Sequence, residues 1–151
     1  MRTINGNILD ITSGVIAHGV NRELVMGAGV ALAIARKYPE VKQQFLSRNN
    51  PVPELGYVDP VYINDNLVIC NCYTQDRYGR NKSIKYASLS AIKNSLSTLA
   101  NSVKDGDIKL KFIHIPFIGA GFGGLNWYQE VQPALLQIEA DNGIEFKVYF
   151  L

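Results

Sequence analysis

Residues 116–126 read PFIGAGFGGLN and carry four glycines within six consecutive positions. A strand is predicted just before this segment, over 110–115, and a helix just after it, over 127–141. Glycine permits positive φ angles and close approach of the backbone to a ligand, so a glycine-rich loop can direct several backbone N–H groups at one anion. The segment therefore predicts a strand–loop–helix unit that binds an anionic group.

The same glycines satisfy the dinucleotide-binding pattern G-x-G-x-x-G at Gly119, Gly121 and Gly124. That pattern opens a βαβ unit and is followed, about 20 residues later, by an acidic residue at the end of the next strand. Gly124 stands close to the end of a 151-residue chain, whereas the pattern belongs near the start of a long domain. We therefore reject a Rossmann fold and keep only anion binding by backbone N–H groups.

A second glycine loop follows the strand predicted over 14–18. Gly27 and Gly29 stand just before a helix predicted over 30–38, whose free N-terminal N–H groups and positive dipole end favour an anion. Asn21 follows the same strand, and its amide can both donate to and accept from a ribose hydroxyl. An ordinary turn and a turn-forming asparagine are the alternatives. Together, the two glycine loops suggest two walls of one slot.

The rest of the chain alternates between predicted strands and predicted helices. Further strands are predicted over 1–5, 56–63, 66–73 and 144–151, and further helices over 39–48 and 83–103. This alternation predicts a layered α/β domain with a central, largely buried sheet. Ligands of such folds bind in loops beyond the carboxyl ends of the strands. Pro133 is expected to disturb the first turn of its helix.

Composition indicates one globular domain over residues 1–151. The chain is 47% hydrophobic and 19% charged, with a net charge of +2, which allows a core but is far from the basic stripe of a nucleic-acid binder. No apolar run reaches membrane-spanning length, and two cysteines with two histidines give no recognised metal-ligand spacing. We expect a cytoplasmic protein with no metal, no cofactor, and neither a membrane nor nucleic acid as partner.

Four segments of the chain resemble macro domains in order and spacing. They are residues 6–9 (GNIL), 20–21 (VN), 25–31 (VMGAGVA) and 118–127 (IGAGFGGLNW). The similarity runs over essentially the whole chain and is greatest to small ADP-ribose 1''-phosphate phosphatases and terminal ADP-ribose glycohydrolases. It implies a three-layer α/β/α macro domain with a central mixed β-sheet. The implied ligand is ADP-ribose or ADP-ribose 1''-phosphate, free or attached to a macromolecule.

The resemblance also implies a set of ligand-binding residues. Asn7 stands where the family usually has an aspartate that bonds adenine, and an amide oxygen can accept that bond without charge assistance. The first loop would face the distal ribose and one phosphate, and the second loop would surround the diphosphate. The chain end, Phe150-Leu151, would supply an apolar residue, entered here as Leu151, that packs on adenine, with a core residue at a strand end as the alternative. The implied set is Asn7, Ile8, Asn21, Gly27, Ala28, Gly29, Val30, Ile118, Gly119, Ala120, Gly121, Phe122, Gly123 and Leu151.

Departures from the family motifs bear on the reaction. Related glycohydrolases pair a lysine with an acidic residue in the second loop, where this chain has Gly123. Antitoxin-type relatives read Met-Gly-Lys-Gly in the first loop, where this chain has Ala28. Both differences argue against lysine-dependent removal of ADP-ribose.

We favour the hypothesis that the protein is an ADP-ribose 1''-phosphate phosphatase, with His18 and Asp76 as the catalytic residues. His18 resembles a histidine of the phosphatase relatives, and its ordinary pKa of ~6.5 suits proton transfer at neutral pH. Asp76 follows a strand whose end should face the same mouth. The alternatives are a structural histidine with a solvated aspartate, a non-catalytic ADP-ribose reader, or a lysine-free hydrolase that acts on ADP-ribosylated protein or nucleic acid.

Overall fold

The computed structural model describes residues 1–104 and 112–150. Leu151 and the first two residues of the strand predicted over 110–115 lie outside the described residues. Within the described part, six strands form one sheet. They are β1 (Arg2–Asn5), β2 (Gly14–Asn21), β3 (Val58–Tyr62), β4 (Leu67–Gln75), β5 (Phe112–Ile115) and β6 (Glu145–Phe150).

The strand order across the sheet is β1-β6-β5-β2-β4-β3. Neighbouring strands run parallel except for β3, which pairs with β4 in the antiparallel direction. The carboxyl ends of β1, β2, β4, β5 and β6 therefore lie at one edge of the sheet. Loops that leave this edge are placed to share a ligand.

Within residues 1–104 and 112–150, four α-helices cover the two faces of the sheet. They are α1 (Gly29–Lys37), α2 (Pro39–Ser47), α3 (Leu89–Lys104) and α4 (Gln132–Asn142). Alternate residues of β2 divide between two apolar clusters: Val15 and Ala17 pack with α3 and α4, whereas Ile16 and Val20 pack with α1 and α2. This arrangement confirms the predicted three-layer α/β/α fold with a central mixed sheet. No helix within residues 1–104 and 112–150 is long and apolar enough to cross a bilayer.

Strand β4 lies between β2 and the edge strand β3, and its side chains pack into the apolar clusters on both faces of the sheet. Its first eight residues are all buried. Cys70 and Cys72 are free thiols that face the same apolar cluster. Burial raises the pKa of Cys72 to about 12 and raises the pKa of Cys70 well above its usual value. Both side chains are therefore protonated packing residues at neutral pH.

Helix α3 begins at Leu89, so the prediction of a helix from residue 83 is wrong at its start. Ser88 caps the helix instead, since its Oγ accepts a hydrogen bond from Ala91 N at 3.2 Å. The preceding residues are held by long-range backbone bonds, from Ala87 N to Gly123 O at 3.0 Å and from Ser88 N to Thr74 O at 2.7 Å. Residues 83–88 consequently cross the carboxyl edge of the sheet as a loop.

The helix predicted over 127–141 begins with a π-helical turn, Trp127–Val131, before α4 continues in the regular α form. Pro133 lies in the first turn of α4, directly after the π-helical turn, and it has no N–H to continue the helical hydrogen bonds. The expected disturbance near Pro133 is therefore confirmed. It moves the regular helix five residues downstream of Trp127.

Candidate ligand-binding site

Most segments implicated by the sequence lie at the carboxyl edge of the sheet. Residues 6–8 follow β1, the first glycine loop (residues 22–30) follows β2, and the second glycine loop (residues 116–126) follows β5. Strands β2 and β5 are neighbours, so their loops leave the sheet side by side. The gap between residues 27–30 and residues 118–123 is called the two-loop site below. Leu151, expected to pack on adenine, lies outside the described residues.

The second loop folds back on itself and packs against residues 83–88. Leu125 N donates to Gly119 O at 2.9 Å. A Cβ at Gly123 would stand 2.6 Å from Gly119 O and 2.9 Å from the Ala87 methyl group, and one at Gly124 would stand 2.7 Å from Ile84 O. Glycine at 123 and 124 is therefore required by packing.

Gly121 differs from the other glycines of this loop. It is exposed, and no heavy atom among the described residues beyond its chain neighbours lies within 4 Å of the place where a Cβ would stand. Packing within the protein thus gives no reason for glycine here. A ligand that approaches the backbone from outside would supply one.

The first loop ends at the N-terminus of α1. Ala28 is the N-cap residue, and its methyl group cannot accept a hydrogen bond from the first-turn N–H groups. Those groups and the positive end of the helix dipole remain free for an anion. Gly29 has a φ of 60°, which a residue with a side chain adopts only with strain.

Asn21 gives the first loop its shape. Its Nδ2 donates to Val25 O at 2.9 Å, and its Oδ1 accepts from Val25 N at 3.1 Å. One N–H and one lone pair of the amide are committed to the loop, which leaves one of each for a ribose hydroxyl. The turn-forming role that the sequence left open is thus present in the structure.

Asn7 and Ile8 lie where β1 ends. Asn7 Oδ1 accepts a hydrogen bond from Leu9 N at 2.9 Å and so caps a short 3₁₀ helix, Ile8–Asp10. Gly6 N donates to Phe150 O at 2.8 Å, which places this turn beside the end of β6. The oxygen of Asn7 keeps one lone pair for an adenine amino group.

An aromatic surface lies near the end of β6, where the sequence indicated Phe150-Leu151 but not the contribution of Phe117 and Trp127. The rings of Phe117 and Phe150 stack at 6.1 Å with an interplanar angle of 27°, and Trp127 meets Phe117 edge-on at 4.8 Å. Phe150 is 40% exposed. The available signal was an aromatic residue at the strand end, beside the turn that is expected to bind adenine. This surface offers a flat apolar contact where Leu151 was expected to provide one.

His18 and Asp76 have different partners in the structure. Strand β2 continues to Asn21, so His18 lies inside the strand rather than at its end. It is 1% exposed, and its Nε2 lies 2.7 Å from Asn71 Oδ1. Asp76 is an exposed loop residue whose carboxylate accepts from Arg22 Nη1 at 3.1 Å. Their shared catalytic role stays a prediction.

Burial lowers the pKa of His18 to about 4, only partly offset by the bond to Asn71. The unfolded chain, with a pKa of 6.5 at this residue, binds more protons than the folded protein between these values. The contribution of neutral His18 to the free energy of unfolding is therefore complete above pH 6.5, and it decreases as the pH falls to about 4. We expect a loss of about 3 kcal/mol across this window.

Urea unfolding of wild type and His18→Gln at several pH values measures this effect. The difference between the two free energies of unfolding isolates His18, since all other groups titrate in both proteins. A difference that stays constant between pH 7 and pH 4 would contradict the buried, neutral histidine.

Comparison with models of known protein families finds no match. Among curated proteins, the chain is 32% identical over 117 residues to the uncharacterized 17.5 kDa protein of the tk-vs intergenic region of Enterobacteria phage T4, covering 74% of this chain and 72% of that protein. It is 27% identical over 157 residues to the DNA ADP-ribosyl glycohydrolase of Thermus aquaticus. That match covers 99% of this chain but 41% of the relative, so the chain spans about two fifths of its length.

Among solved structures, the macrodomain of Thermus aquaticus DarG matches with a TM-score of 0.79 and 25% identity, over 99% of this chain and 97% of that one. The chain belongs to the macrodomain family. The structure of Thermosipho africanus DarTG in complex with ADP-ribose shares the fold of this macrodomain, with a TM-score of 0.79 and 20% identity over 97% of this chain and 40% of that one.

Proposed function

We propose that this macrodomain binds ADP-ribose, with the diphosphate lying in the two-loop site. The observation that carries the proposal is the pairing of two anion-binding devices on neighbouring strands. The uncapped N-terminus of α1 forms one wall, and the exposed backbone at Gly121 forms the other. A diphosphate presents oxygens to both sides, so each wall can donate N–H groups to it.

With the diphosphate in the two-loop site, the other two parts of ADP-ribose can also be assigned to residues. Adenine would lie toward Asn7 and the aromatic surface of Phe117 and Phe150, beside the end of β6. The distal ribose would lie toward Asn21 and residues 27–30 of the first loop. The structure of Thermosipho africanus DarTG, which was solved in complex with ADP-ribose and shares this fold, supports ADP-ribose as the ligand.

We infer that the reaction is hydrolysis of the bond between the distal ribose and a macromolecule. The likeness to the DNA ADP-ribosyl glycohydrolase of Thermus aquaticus, which extends over 99% of this chain, supports this reading. Water oxygen would add to C1'' of the distal ribose, the bond from C1'' to the acceptor atom would break, and the acceptor would take the proton. With Ala28 and Gly123 in the two loops, water rather than a loop lysine is the nucleophile.

Removal of the 1''-phosphate from ADP-ribose 1''-phosphate is the second candidate. The residues at positions 28 and 123 favour it, because neither supplies the lysine or carboxylate that the related glycohydrolases use. His18 is buried and neutral at pH 7, so Asp76, which is exposed, is the better placed of the two predicted catalytic residues. Phosphate release that survives Asp76→Asn would remove that role.

Product analysis by chromatography tests the reaction. We expect free ADP-ribose to appear when the protein is incubated with an ADP-ribosylated oligonucleotide or peptide. Phosphate release from ADP-ribose 1''-phosphate alone would replace the first candidate by the second. Tight ADP-ribose binding with no product from any of the three substrates would make the protein a reader and overturn the hydrolase proposal.

A further inference from the structure

Strand β4 contains a bulge near the carboxyl edge of the sheet. Val20 of β2 pairs with Tyr73, but Asn21 pairs with Gln75, so Thr74 has no residue of β2 opposite it. A bulge changes the direction of a side chain, and bulges are frequent beside binding and active sites. The bulge therefore sets the direction in which the Thr74 side chain points.

The Thr74 side chain lies against β2 at Gly19. A Cβ at Gly19 would stand 2.5 Å from Thr74 Oγ1, which is closer than two such atoms can approach. Any residue with a side chain at position 19 would displace this hydroxyl, so Thr74 requires glycine there. The same Cβ would stand 3.5 Å from Ile118 Cγ1. Thr74 and the beginning of the second glycine loop therefore meet at Gly19.

The Thr74 hydroxyl has no partner that would explain it. Thr74 is 1% exposed, and its Oγ1 forms no hydrogen bond with another residue within 1–104 and 112–150. Its main-chain oxygen alone is used, as the acceptor for Ser88 N. The hydroxyl oxygen is nevertheless not enclosed by the protein in the way that Tyr73 Oη is. A buried hydroxyl without a partner but with an open side is available to a ligand.

The open side of Thr74 faces the two-loop site. In the described register, β5 pairs with Val15 and Ile16 of β2 and ends at Ile115. Beyond that point the second glycine loop takes the place of a strand beside β2. Gly19 is partly exposed there, whereas every other residue of β2 is buried. Gly19 therefore forms part of the floor of the two-loop site, and Thr74 Oγ1 reaches this floor because glycine leaves room for it.

The part of the ligand nearest to this floor is the distal ribose. Asn21 follows Gly19 by two residues and lies on the same face of β2, and the distal ribose was assigned to Asn21 above. A threonine hydroxyl can both donate and accept, which matches a ribose hydroxyl. The diphosphate offers acceptors alone, and the N–H groups of the two loops already match them.

We propose that Thr74 is a ligand-binding residue whose hydroxyl forms a hydrogen bond with the distal ribose and so selects ADP-ribose over nucleotides that end at the diphosphate. The inference rests on the ADP-ribose binding proposed above and adds to it a residue that the sequence did not indicate. Because Thr74 Oγ1 has no partner within the described protein, removal of this hydroxyl leaves no protein group unpaired. The loss then falls on the complex with the complete ligand.

Calorimetric titration with ADP-ribose and with ADP, which lacks the distal ribose, tests the assignment. Thr74→Val keeps the shape of threonine and removes the hydroxyl, whereas Thr74→Ser keeps the hydroxyl. We expect Thr74→Val to bind ADP-ribose about 10-fold more weakly than wild type, to bind ADP as wild type does, and to keep the wild-type Tm. Thr74→Ser should bind ADP-ribose with an affinity closer to that of wild type than to that of Thr74→Val.

Gly19→Ala, made in two backgrounds, tests the contact itself. In the wild-type background the new methyl group would displace Thr74 Oγ1, so we expect a lower Tm and weaker binding of ADP-ribose. In the Thr74→Ala background Oγ1 is absent, and Ile118 Cγ1 at 3.5 Å is at an ordinary contact distance. The same substitution should then lower the Tm much less. Equal decreases in Tm in the two backgrounds would contradict the contact between Thr74 and Gly19.

The failure of this inference differs from the failure of the proposed function. If the wild-type protein does not bind ADP-ribose, the function proposed above is overturned. If it binds ADP-ribose and Thr74→Val binds it equally well, the role of Thr74 alone is overturned. Equal losses for ADP-ribose and ADP, or equal losses in Thr74→Val and Thr74→Ser, would also overturn that role, because they indicate a general change of the site rather than a missing bond to the ribose.

Discussion

The variant Gly121→Glu is expected to lose ADP-ribose binding while it keeps its fold. The position has open space around it, so the new side chain meets no steric barrier within the protein. Its carboxylate would occupy the two-loop site and lie against the diphosphate. Like charges placed together at an interface cost several kcal/mol, which corresponds to a loss of affinity of about 100-fold or more.

Calorimetric titration with ADP-ribose measures this loss, with AMP and ribose 5-phosphate as partial ligands. Gly121→Ala is the matched control, because it adds a methyl group without a charge and so measures the steric part of the effect alone. We expect the alanine variant to bind more weakly than wild type but more tightly than Gly121→Glu, and both variants to keep the wild-type Tm. Undiminished affinity in Gly121→Glu would show that the diphosphate lies elsewhere.

The variant Arg48→Leu is expected to be destabilised by about 2–3 kcal/mol. Asp59 on β3 is 1% exposed, and its carboxylate accepts from Arg48 Nε at 2.9 Å and from Arg48 Nη2 at 3.0 Å. Without Arg48, Gln44 remains as a donor at 3.0 Å, but a single neutral donor does not compensate a buried carboxylate. Since Arg48 itself is partly exposed, water can reach part of the site and limits the loss.

Urea unfolding at pH 7 measures this change. Arg36→Leu, at an exposed position on α1, removes the same charge without exposing a buried partner and should change stability by no more than about 0.5 kcal/mol. Adding Asp59→Asn to Arg48→Leu should restore part of the loss, because a neutral amide costs less to bury than a carboxylate. Equal effects of Arg48→Leu and Arg36→Leu would contradict the buried ion pair.

Sequence reasoning succeeded where the signal was local. The apolar periodicity of β2, β4 and α4 and the glycines of the two loops each depend on a few neighbouring residues, and together they predict the layered fold. The order of strands and loops then places both glycine loops at one edge of the sheet. That inference needs only the rule that parallel strands end together.

Features that depend on distant partners were not predictable in the same way. Ser83 and Ser88 are both acceptable helix caps, and the choice between them is made by bonds from Ala87 to Gly123 and from Ser88 to Thr74. Likewise, nothing beside His18 in the chain indicates that β4 will present Asn71 opposite it. The aromatic surface of Phe117 and Phe150 joins residues that are far apart in sequence.

The buried thiols of β4 also provide an intrinsic reporter of unfolding. Cys70 and Cys72 are fully buried in the apolar cluster between β4 and the helices packed on it, and their pKa values are raised, so a thiol reagent reaches them only when β4 separates from the elements packed against it. The labelling rate then measures how often the centre of the native structure opens. A ligand that binds only the folded form slows this opening by mass action, so ligands can be detected by protected thiols without a label on either molecule.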